Sequence, residues 1–123
     1  MNILIIGATS GIGKELLNQY VVQGHSVIAC GRRENILNEL STQNSPVQGV
    51  QLDICDIDST SQTISGLFAQ TSIDIAIVTA GIGDLNPTLD NTIELNTLQT
   101  NVTAWTNCVD LLYKSFQKQS FGH

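Results

Sequence analysis

The sequence has little charge, and positive charge is especially scarce. Charged residues make up 13% of the 123-residue chain, and five Lys and Arg stand against eleven Asp and Glu, which gives a net charge of −6. An acidic surplus argues against non-specific binding to nucleic acid, whose phosphates are met by Lys and Arg. Any site for a phosphate-bearing ligand must therefore be made locally, so the position of each basic residue is informative.

Long apolar runs, internal repeats and low-complexity tracts are also missing from the sequence. No run approaches the roughly 20 apolar residues that span a membrane, and the first residues lack the basic segment and apolar core of a signal peptide. We expect no membrane partner and no leader. Hydrophobic residues make up 41% of the chain, which predicts one packed domain rather than disorder.

Cysteine is scarce and unpatterned. Cys30, Cys55 and Cys108 are far apart, form no CxxC pair and have no histidine nearby at the spacing of a metal site. They fit small buried side chains in a reducing compartment. We therefore expect a cytoplasmic protein with no bound metal.

A glycine-rich segment directly follows an apolar run close to the start of the chain. Ile3–Ile6 predicts a buried strand, and a helical pattern opens after Gly13. Gly7 permits a tight turn, Gly11 lets the backbone approach a pyrophosphate, and Gly13 lets the helix pack closely on the strand. An ordinary strand–turn–helix is the alternative. The order favours a dinucleotide site, whose pyrophosphate would be held by Gly7, Thr9, Ser10, Gly11, Ile12 and Gly13.

Strand and helix patterns alternate along the rest of the chain. The predicted strands are Asn2–Ile6, Ser26–Cys30, Val47–Leu52 and Ile73–Val78. Helical patterns follow the glycine segment, cover Glu34–Leu40, and bring Ile64, Leu67 and Phe68 together after the third strand, with Asn44-Ser45-Pro46 as a breaker. Right-handed crossovers predict an α/β, Rossmann-like, doubly wound parallel sheet of about four strands in the order 3-2-1-4, with helices on both faces.

A long helix is predicted from about Ile93 to about Lys118. One apolar stripe contains Leu95, Leu98, Val102, Trp105, Val109, Leu112 and Phe116, and a neighbouring stripe contains Ala104, Cys108 and Leu111. So wide an apolar surface suggests burial against the sheet and against something else. Two alternatives stay open: a plain core helix, and a helix that also meets a partner subunit.

Two arginines follow the second strand, where a site for NAD usually places an acidic residue on the ribose 2′-hydroxyl. Here the chain has Gly31-Arg32-Arg33, so a 2′-phosphate would meet guanidinium groups rather than a carboxylate. We expect Arg32 and Arg33 to select NADP(H) over NAD(H). The alternative is a solvated pair at a helix start, where the helix dipole makes cations slightly unfavourable.

Further candidates follow the third and fourth strands, at the edge where an open sheet binds ligands. Asp53 could accept a hydrogen bond from an adenine amino group, or it could cap the next helix, as Asp56 or Asp58 could. Ala80 and Gly81 are small enough to leave room for a cofactor ribose.

Together, the Gly7-x-x-x-Gly11-x-Gly13 segment, Asp53, Ala80-Gly81 and Asn101 resemble the short-chain dehydrogenase/reductase family in its compact form, and the arginine pair resembles NADP-preferring members. The resemblance runs from residue 2 to the end of the chain. It implies that Asn101 belongs to a catalytic Asn-Ser-Tyr-Lys tetrad, distorts its helix and holds a water in the proton relay. Taken alone, Asn101 could equally be an ordinary exposed helical Asn.

Two departures from the family pattern stand out. The chain has Val78-Thr79-Ala80-Gly81 where the family usually has Asn-Asn-Ala-Gly, and we expect the change from amide to hydroxyl to loosen the site without removing it. The family's Ser and YxxxK pair would follow a fifth strand, into which Phe121-Gly122-His123 would lead. Tyr113 is followed four positions later by Gln117, so it does not supply that pair.

The resemblance therefore implies that residues 1–123 are an incomplete dinucleotide-binding domain whose C-terminal catalytic half is absent. We expect the cofactor-binding part of an NADP(H)-dependent oxidoreductase for a small carbonyl or alcohol substrate, unable to turn over alone. The alternative is a non-catalytic nucleotide-binding or interaction module. We also expect a homo-oligomer formed through the long helix, because that helix and the open edge of the fourth strand both expose apolar surface.

Overall fold

The computed structural model describes residues 1–43 and 46–123 as one sheet covered by helices. Its strands are β1 (Asn2–Ile6), β2 (Ser26–Gly31), β3 (Val47–Gln51) and β4 (Ile75–Val78). Its helices are α1 (Gly11–Val22), α2 (Glu34–Gln43), α3 (Ile57–Gln70), α4 (Asn91–Leu98) and α5 (Trp105–Gln119), with a π-helical segment, Gln99–Ala104, joining the last two. Of the predicted breaker, Asn44 and Ser45 lie outside the described residues, and Pro46 forms a turn.

The sheet has the order β3-β2-β1-β4, and every described pairing is parallel. The predicted order 3-2-1-4 is confirmed. Because all strands run the same way, their carboxyl ends lie along one edge of the sheet. The segments that follow the four strands, which hold the predicted site residues, are thus brought to that edge.

Side chains of β1 alternate between two apolar clusters, one on each face of the sheet. Leu4 and Ile6 belong to the cluster under α3 and α5, and Ile3 and Ile5 belong to the cluster under α1 and α2. All four side chains are at most 1% exposed. A strand that is buried on both faces has a continuous apolar sequence, and the run Ile3–Ile6 therefore predicted a buried strand. The prediction of helices on both faces is confirmed.

The fourth strand starts two residues later than predicted, at Ile75 rather than Ile73. Ile73 is fully buried, but its backbone pairs with a side chain of α5: Gln119 accepts from the Ile73 amide at 3.0 Å and donates to the Ile73 carbonyl at 2.7 Å. Ile73 therefore continues the apolar pattern of the strand in the sequence, although its backbone hydrogen bonds are made with Gln119 and not with a neighbouring strand. β3 ends one residue before the predicted Leu52, and β2 extends one residue beyond Cys30.

The long helix is present, but the longer of its two predicted apolar stripes is only partly buried within the chain. Ala104 and Cys108 of the shorter stripe and Leu112 of the longer stripe are buried in the core, whereas four other positions of the longer stripe are exposed. The π-helical segment adds a residue to its turn and thereby rotates the residues before it relative to those after it. The exposed positions are Leu95, Leu98, Val102 and Trp105, which are 39–56% exposed.

The end of the chain reaches the outer edge of β4. The His123 amide donates to the Asp74 carbonyl at 2.9 Å, and the His123 carbonyl accepts from the Ala76 amide at 2.7 Å. This pattern is that of a parallel strand entering opposite Ile75. Phe121-Gly122-His123 does lead onto the sheet, as predicted.

Candidate cofactor site at the carboxyl edge of the sheet

A cavity of about 380 Å³ lies at the carboxyl ends of the strands. Its position between the segments that follow β1 and β4 is where strand order reverses, the usual ligand site of a doubly wound sheet. Most of the predicted site residues meet on its wall: Gly7, Ser10, Gly11, Ile12, Gly13, Arg32, Asp53, Ala80 and Gly81. Thr9, Arg33 and Asn101 are predicted residues that are not among those lining this cavity in the described part of the chain.

Two glycines of the first loop have backbone conformations that favour glycine. Gly7 has φ +100° and Gly11 has φ +52°. The amides of Gly7 and Ala8 both donate to the Cys30 carbonyl, at 2.9 and 3.0 Å, and so fasten the loop to the end of β2. A Cβ on Gly7 would lie 2.6 Å from the Ala80 amide nitrogen, so only glycine lets these two segments approach so closely.

The first turn of α1 is suited to receiving an anion. Its N-cap residue, Ser10, makes no side-chain hydrogen bond to the turn, and the turn contains no acidic residue. The amides of Gly11, Ile12 and Gly13 have no acceptor within the helix, because the first amides of any helix lack one. With the positive end of the helix dipole, these amides favour a negatively charged group at the cavity.

Thr79 occupies the space between the glycines. Its hydroxyl lies 3.3 Å from both the Ile6 and the Gly7 carbonyl oxygens, to which it donates. Cβ atoms on Gly7 and Gly13 would lie 2.8 and 2.5 Å from this hydroxyl. The hydroxyl thus braces β1 against β4 in the position where the family has an amide, and the brace depends on both glycines.

The two arginines are placed differently. Arg32 lies on the cavity wall and also borders a neighbouring hollow with Asp53 and Asp56. The Arg33 guanidinium instead donates twice to the Thr9 hydroxyl, from Nε at 3.2 Å and from Nη2 at 2.9 Å. Gly31 makes room for this contact, because a Cβ there would lie 2.8 Å from Thr9 Cγ2.

Of the acidic candidates after β3, Asp56 is the helix cap. Asp56 Oδ1 accepts from the Ser59 amide at 3.0 Å at the start of α3. Asp53 Oδ1 accepts from the Cys55 amide at 3.0 Å, two residues on, while the residue lines the cavity. Capping is therefore the role of Asp56, and a contact between Asp53 and adenine stays a prediction.

Asn101 lies in the π-helical segment, so the helix is distorted at this residue. Its side-chain amide clamps one peptide unit: Oδ1 accepts from the Ile82 amide at 2.9 Å and Nδ2 donates to the Ile82 carbonyl at 2.7 Å. A Cβ on Gly81 would lie 3.3 Å from Asn101 Oδ1. Asn101 therefore fixes the segment after β4 against the helix, and its role in a proton relay stays a prediction.

The cysteines are free thiols. Burial raises the pKa of the Cys30 thiol to about 12, with a smaller contribution from the charge of Cys108, and burial raises the pKa of Cys108 to about 11. Both thiols are therefore protonated and unreactive near pH 7. Cys55 is half-buried, and its sulfur lies 3.4 Å from the Thr100 hydroxyl.

Sequence reasoning missed part of the cavity wall. Ile54, Ile82 and Thr100 line it, and each immediately follows or precedes a residue that the motifs singled out. That adjacency is the only signal in the sequence that could have pointed to them. Among the helices of residues 1–43 and 46–123, none is long and apolar enough to cross a membrane.

Comparison with known proteins agrees with this geometry. A family model described as short chain dehydrogenase matches residues 1–123. Serine 3-dehydrogenase of Rhizobium radiobacter is 40% identical over 82 residues, which are 65% of this chain and 33% of that protein. The NADP-dependent 3-hydroxy acid dehydrogenase YdfG of Shigella flexneri is 36% identical over 84 residues, which are 67% of this chain and 34% of that protein.

Solved structures match the whole chain. Serine dehydrogenase from Escherichia coli superposes with a TM-score of 0.89 at 26% identity, over 100% of this chain and 59% of that one. A closed form of serine dehydrogenase complexed with NADP⁺ gives the same TM-score and identity, with 52% of that chain covered. The chain thus spans between half and three-fifths of the length of these structures.

Proposed function

Since the chain belongs to the short-chain dehydrogenase family, we propose that it is the cofactor-binding part of an NADP(H)-dependent oxidoreductase acting on a carbonyl or alcohol substrate. One observation carries this proposal. The open first turn of α1 and the Arg32 side chain border the same cavity, at the carboxyl edge of the sheet. That pairing provides for two separate negatively charged groups on one ligand.

Different parts of the cavity would hold the pyrophosphate, the 2′-phosphate, the adenine and a ribose of the cofactor. The residues from Gly7 to Gly13 would hold the pyrophosphate with backbone amides, and Arg32 would lie at the 2′-phosphate, while the neighbouring Arg33 donates to the Thr9 hydroxyl. Asp53 would accept from the adenine amino group, and Ala80 and Gly81 would flank a ribose. When bound, the nicotinamide supplies or accepts the hydride.

These residues would hold a cofactor, but residues 1–123 do not contain the Tyr and Lys pair that supplies the acid in this family. Neither tyrosine is followed by Lys at the fourth position: Gly24 follows Tyr20, and Gln117 follows Tyr113. Asn101 would be the tetrad residue within residues 1–123, and it would position the relay water from the distorted helix. We therefore expect the 123 residues to bind NADP(H) without turnover, and we expect the substrate to be a small molecule.

A second candidate function is a non-catalytic interaction module. The exposed apolar stripe of Leu95, Leu98, Val102 and Trp105 favours it. Four apolar side chains in one row fit an identical row across a two-fold axis, so the partner we propose is a second copy of the chain. The three free thiols are consistent with a cytoplasmic protein.

Calorimetric titration with NADPH and NADH tests the main proposal. The wild-type chain should bind NADPH more tightly than NADH. Arg32→Ala should weaken NADPH binding by about 10- to 100-fold, because a charge-assisted phosphate contact contributes about 1.5–3 kcal/mol, and should leave NADH nearly unchanged. Lys14→Ala, at another exposed cation near the start of α1, is the matched control. Equal affinity of the wild type for both cofactors would refute the choice of NADP(H).

A further inference from the structure

The two adjacent arginines differ in what their guanidinium groups contact. Arg32 borders the cavity, whereas Arg33 donates from both Nε and Nη2 to a single acceptor, the Thr9 hydroxyl. In the described part of the chain Arg33 is not among the residues that line the cavity. Arg32 and Arg33 are adjacent in the sequence, but only Arg32 lies on the cavity wall.

The acceptor of Arg33 belongs to the phosphate-binding loop itself. Thr9 is 7% exposed and lies between Gly7 and Gly11, the two loop glycines with positive φ. Only Gly31 fits beside it, since a Cβ at that position would press on Thr9 Cγ2 at 2.8 Å. The Thr9 side chain is thus held between the end of β2 and the Arg33 guanidinium.

The end of the loop that leads into α1 has fewer hydrogen bonds to the rest of the fold than the end that follows β1. Backbone hydrogen bonds to the Cys30 carbonyl fasten Gly7 and Ala8, but Ser10 makes no side-chain cap to the first turn of the helix. Arg33 also lies just before α2, where the helix dipole disfavours a cation. The two hydrogen bonds from Arg33 to Thr9 offset this unfavourable interaction with the helix dipole.

From these contacts we infer that the arginines have separate tasks: Arg32 meets the 2′-phosphate, and Arg33 is a positioning residue that braces the phosphate loop through Thr9. The inference rests on the proposed function and refines it. Loss of the brace makes the first turn of α1 less ordered. The loop meets the pyrophosphate that NADPH and NADH share, so the loss weakens both cofactors and leaves the preference between them unchanged.

Thr9→Val tests the brace most cleanly, since it removes the hydroxyl without changing charge or shape. Titrations at about 0.3 M salt screen the long-range field of Arg33. Thr9→Val and Arg33→Ala should each raise the Kd of both NADPH and NADH by about fivefold, as expected for one hydrogen-bonded contact. Thr9→Ser should restore wild-type binding, and Thr9→Val should add nothing in the Arg33→Ala background. Arg32→Ala, in contrast, should abolish the preference for NADPH.

Amide hydrogen exchange of the free chain separates failure of the inference from failure of the proposed function. The hydrogen-bonded amides of the loop and first turn, those of Gly7, Ala8 and Lys14, should exchange faster in Thr9→Val and Arg33→Ala, but not in Thr9→Ser or Arg32→Ala. A wild type that binds neither cofactor refutes the proposed function, and exchange then still decides whether the brace exists. Unchanged exchange in Thr9→Val, or a Kd that rises for NADPH alone, overturns the inference.

Discussion

Gly13 lies where the first turn of α1 packs against the segments that follow β1 and β4. A Cβ on this residue would collide with the Gly7 carbonyl oxygen and would lie 2.5 Å from the Thr79 hydroxyl. The backbone on one side cannot yield without moving β1, and the hydroxyl on the other side is held by two carbonyls. Only glycine at position 13 therefore allows the start of α1 to lie this close to the cavity.

Gly13→Ala should be strongly destabilising, by about 3 kcal/mol, because overpacking against backbone forces the helix away from the strand. Gly66→Ala is the matched control: Gly66 is inside α3 and nothing lies within 4 Å of its added Cβ. That change should stabilise the chain by roughly 0.5–1 kcal/mol through helix propensity. Urea unfolding of both variants gives the comparison. A Gly13→Ala chain as stable as wild type would rule out the close approach.

The sequence predicted the backbone of the first loop better than the roles of its side chains, and pyrophosphate binding by this loop stays a prediction. The glycine spacing identified Gly7, Gly11 and Gly13 because only glycine satisfies those conformations and approaches. The different contacts of Arg32 and Arg33 could not be predicted from the amino-acid sequence. Their difference depends on which side chain reaches the Thr9 hydroxyl, a contact between residues 24 positions apart in the sequence.

At the scale of elements, α5 completes the sheet in a way that the apolar pattern does not reveal. Gln119 near its end pairs with both backbone groups of Ile73 and also donates to the Phe121 carbonyl at 2.9 Å. The side chain thus takes the place of a neighbouring strand before β4 begins. The helix after β4 was predicted from its period, but the π-helical segment was not evident in that period, because a one-residue shift leaves both stripes apolar.

Gln119→Ala should lower the free energy of unfolding by about 1–3 kcal/mol, since it leaves the buried Ile73 backbone groups unpaired. Gln117→Ala, an exposed glutamine on the same helix, should change it by less than about 0.5 kcal/mol. Chemical denaturation monitored by circular dichroism is sufficient. Equal stabilities of the two variants would mean that Ile73 is not held by Gln119.

At the scale of the whole molecule, the fold followed from alternation and handedness. The order β3-β2-β1-β4 is the one predicted from right-handed crossovers, the hand that nearly all parallel strand–helix–strand units adopt. The partner of an exposed surface cannot be predicted from strand alternation and crossover handedness. The row of Leu95, Leu98, Val102 and Trp105 stays 39–56% exposed, so the local pattern could indicate its apolarity but not its partner.

Association through that row is measurable by light scattering at increasing concentration. We expect a dimer whose dissociation constant rises at least tenfold in Val102→Glu, because a charge would be buried against an apolar partner. Val22→Glu, at an exposed apolar residue on α1 across the sheet, should leave it unchanged. A wild-type chain that stays monomeric at high concentration would contradict association through α4 and α5.

The central claim is that the amides at the start of α1 receive the pyrophosphate of NADP(H). Nitrogen–proton NMR spectra of the wild-type chain during titration with NADPH test it at the atoms concerned. The account predicts saturable shifts concentrated at Gly11, Ile12 and Gly13, together with the Arg32 side chain. Saturating NADPH that leaves these signals unmoved would contradict it.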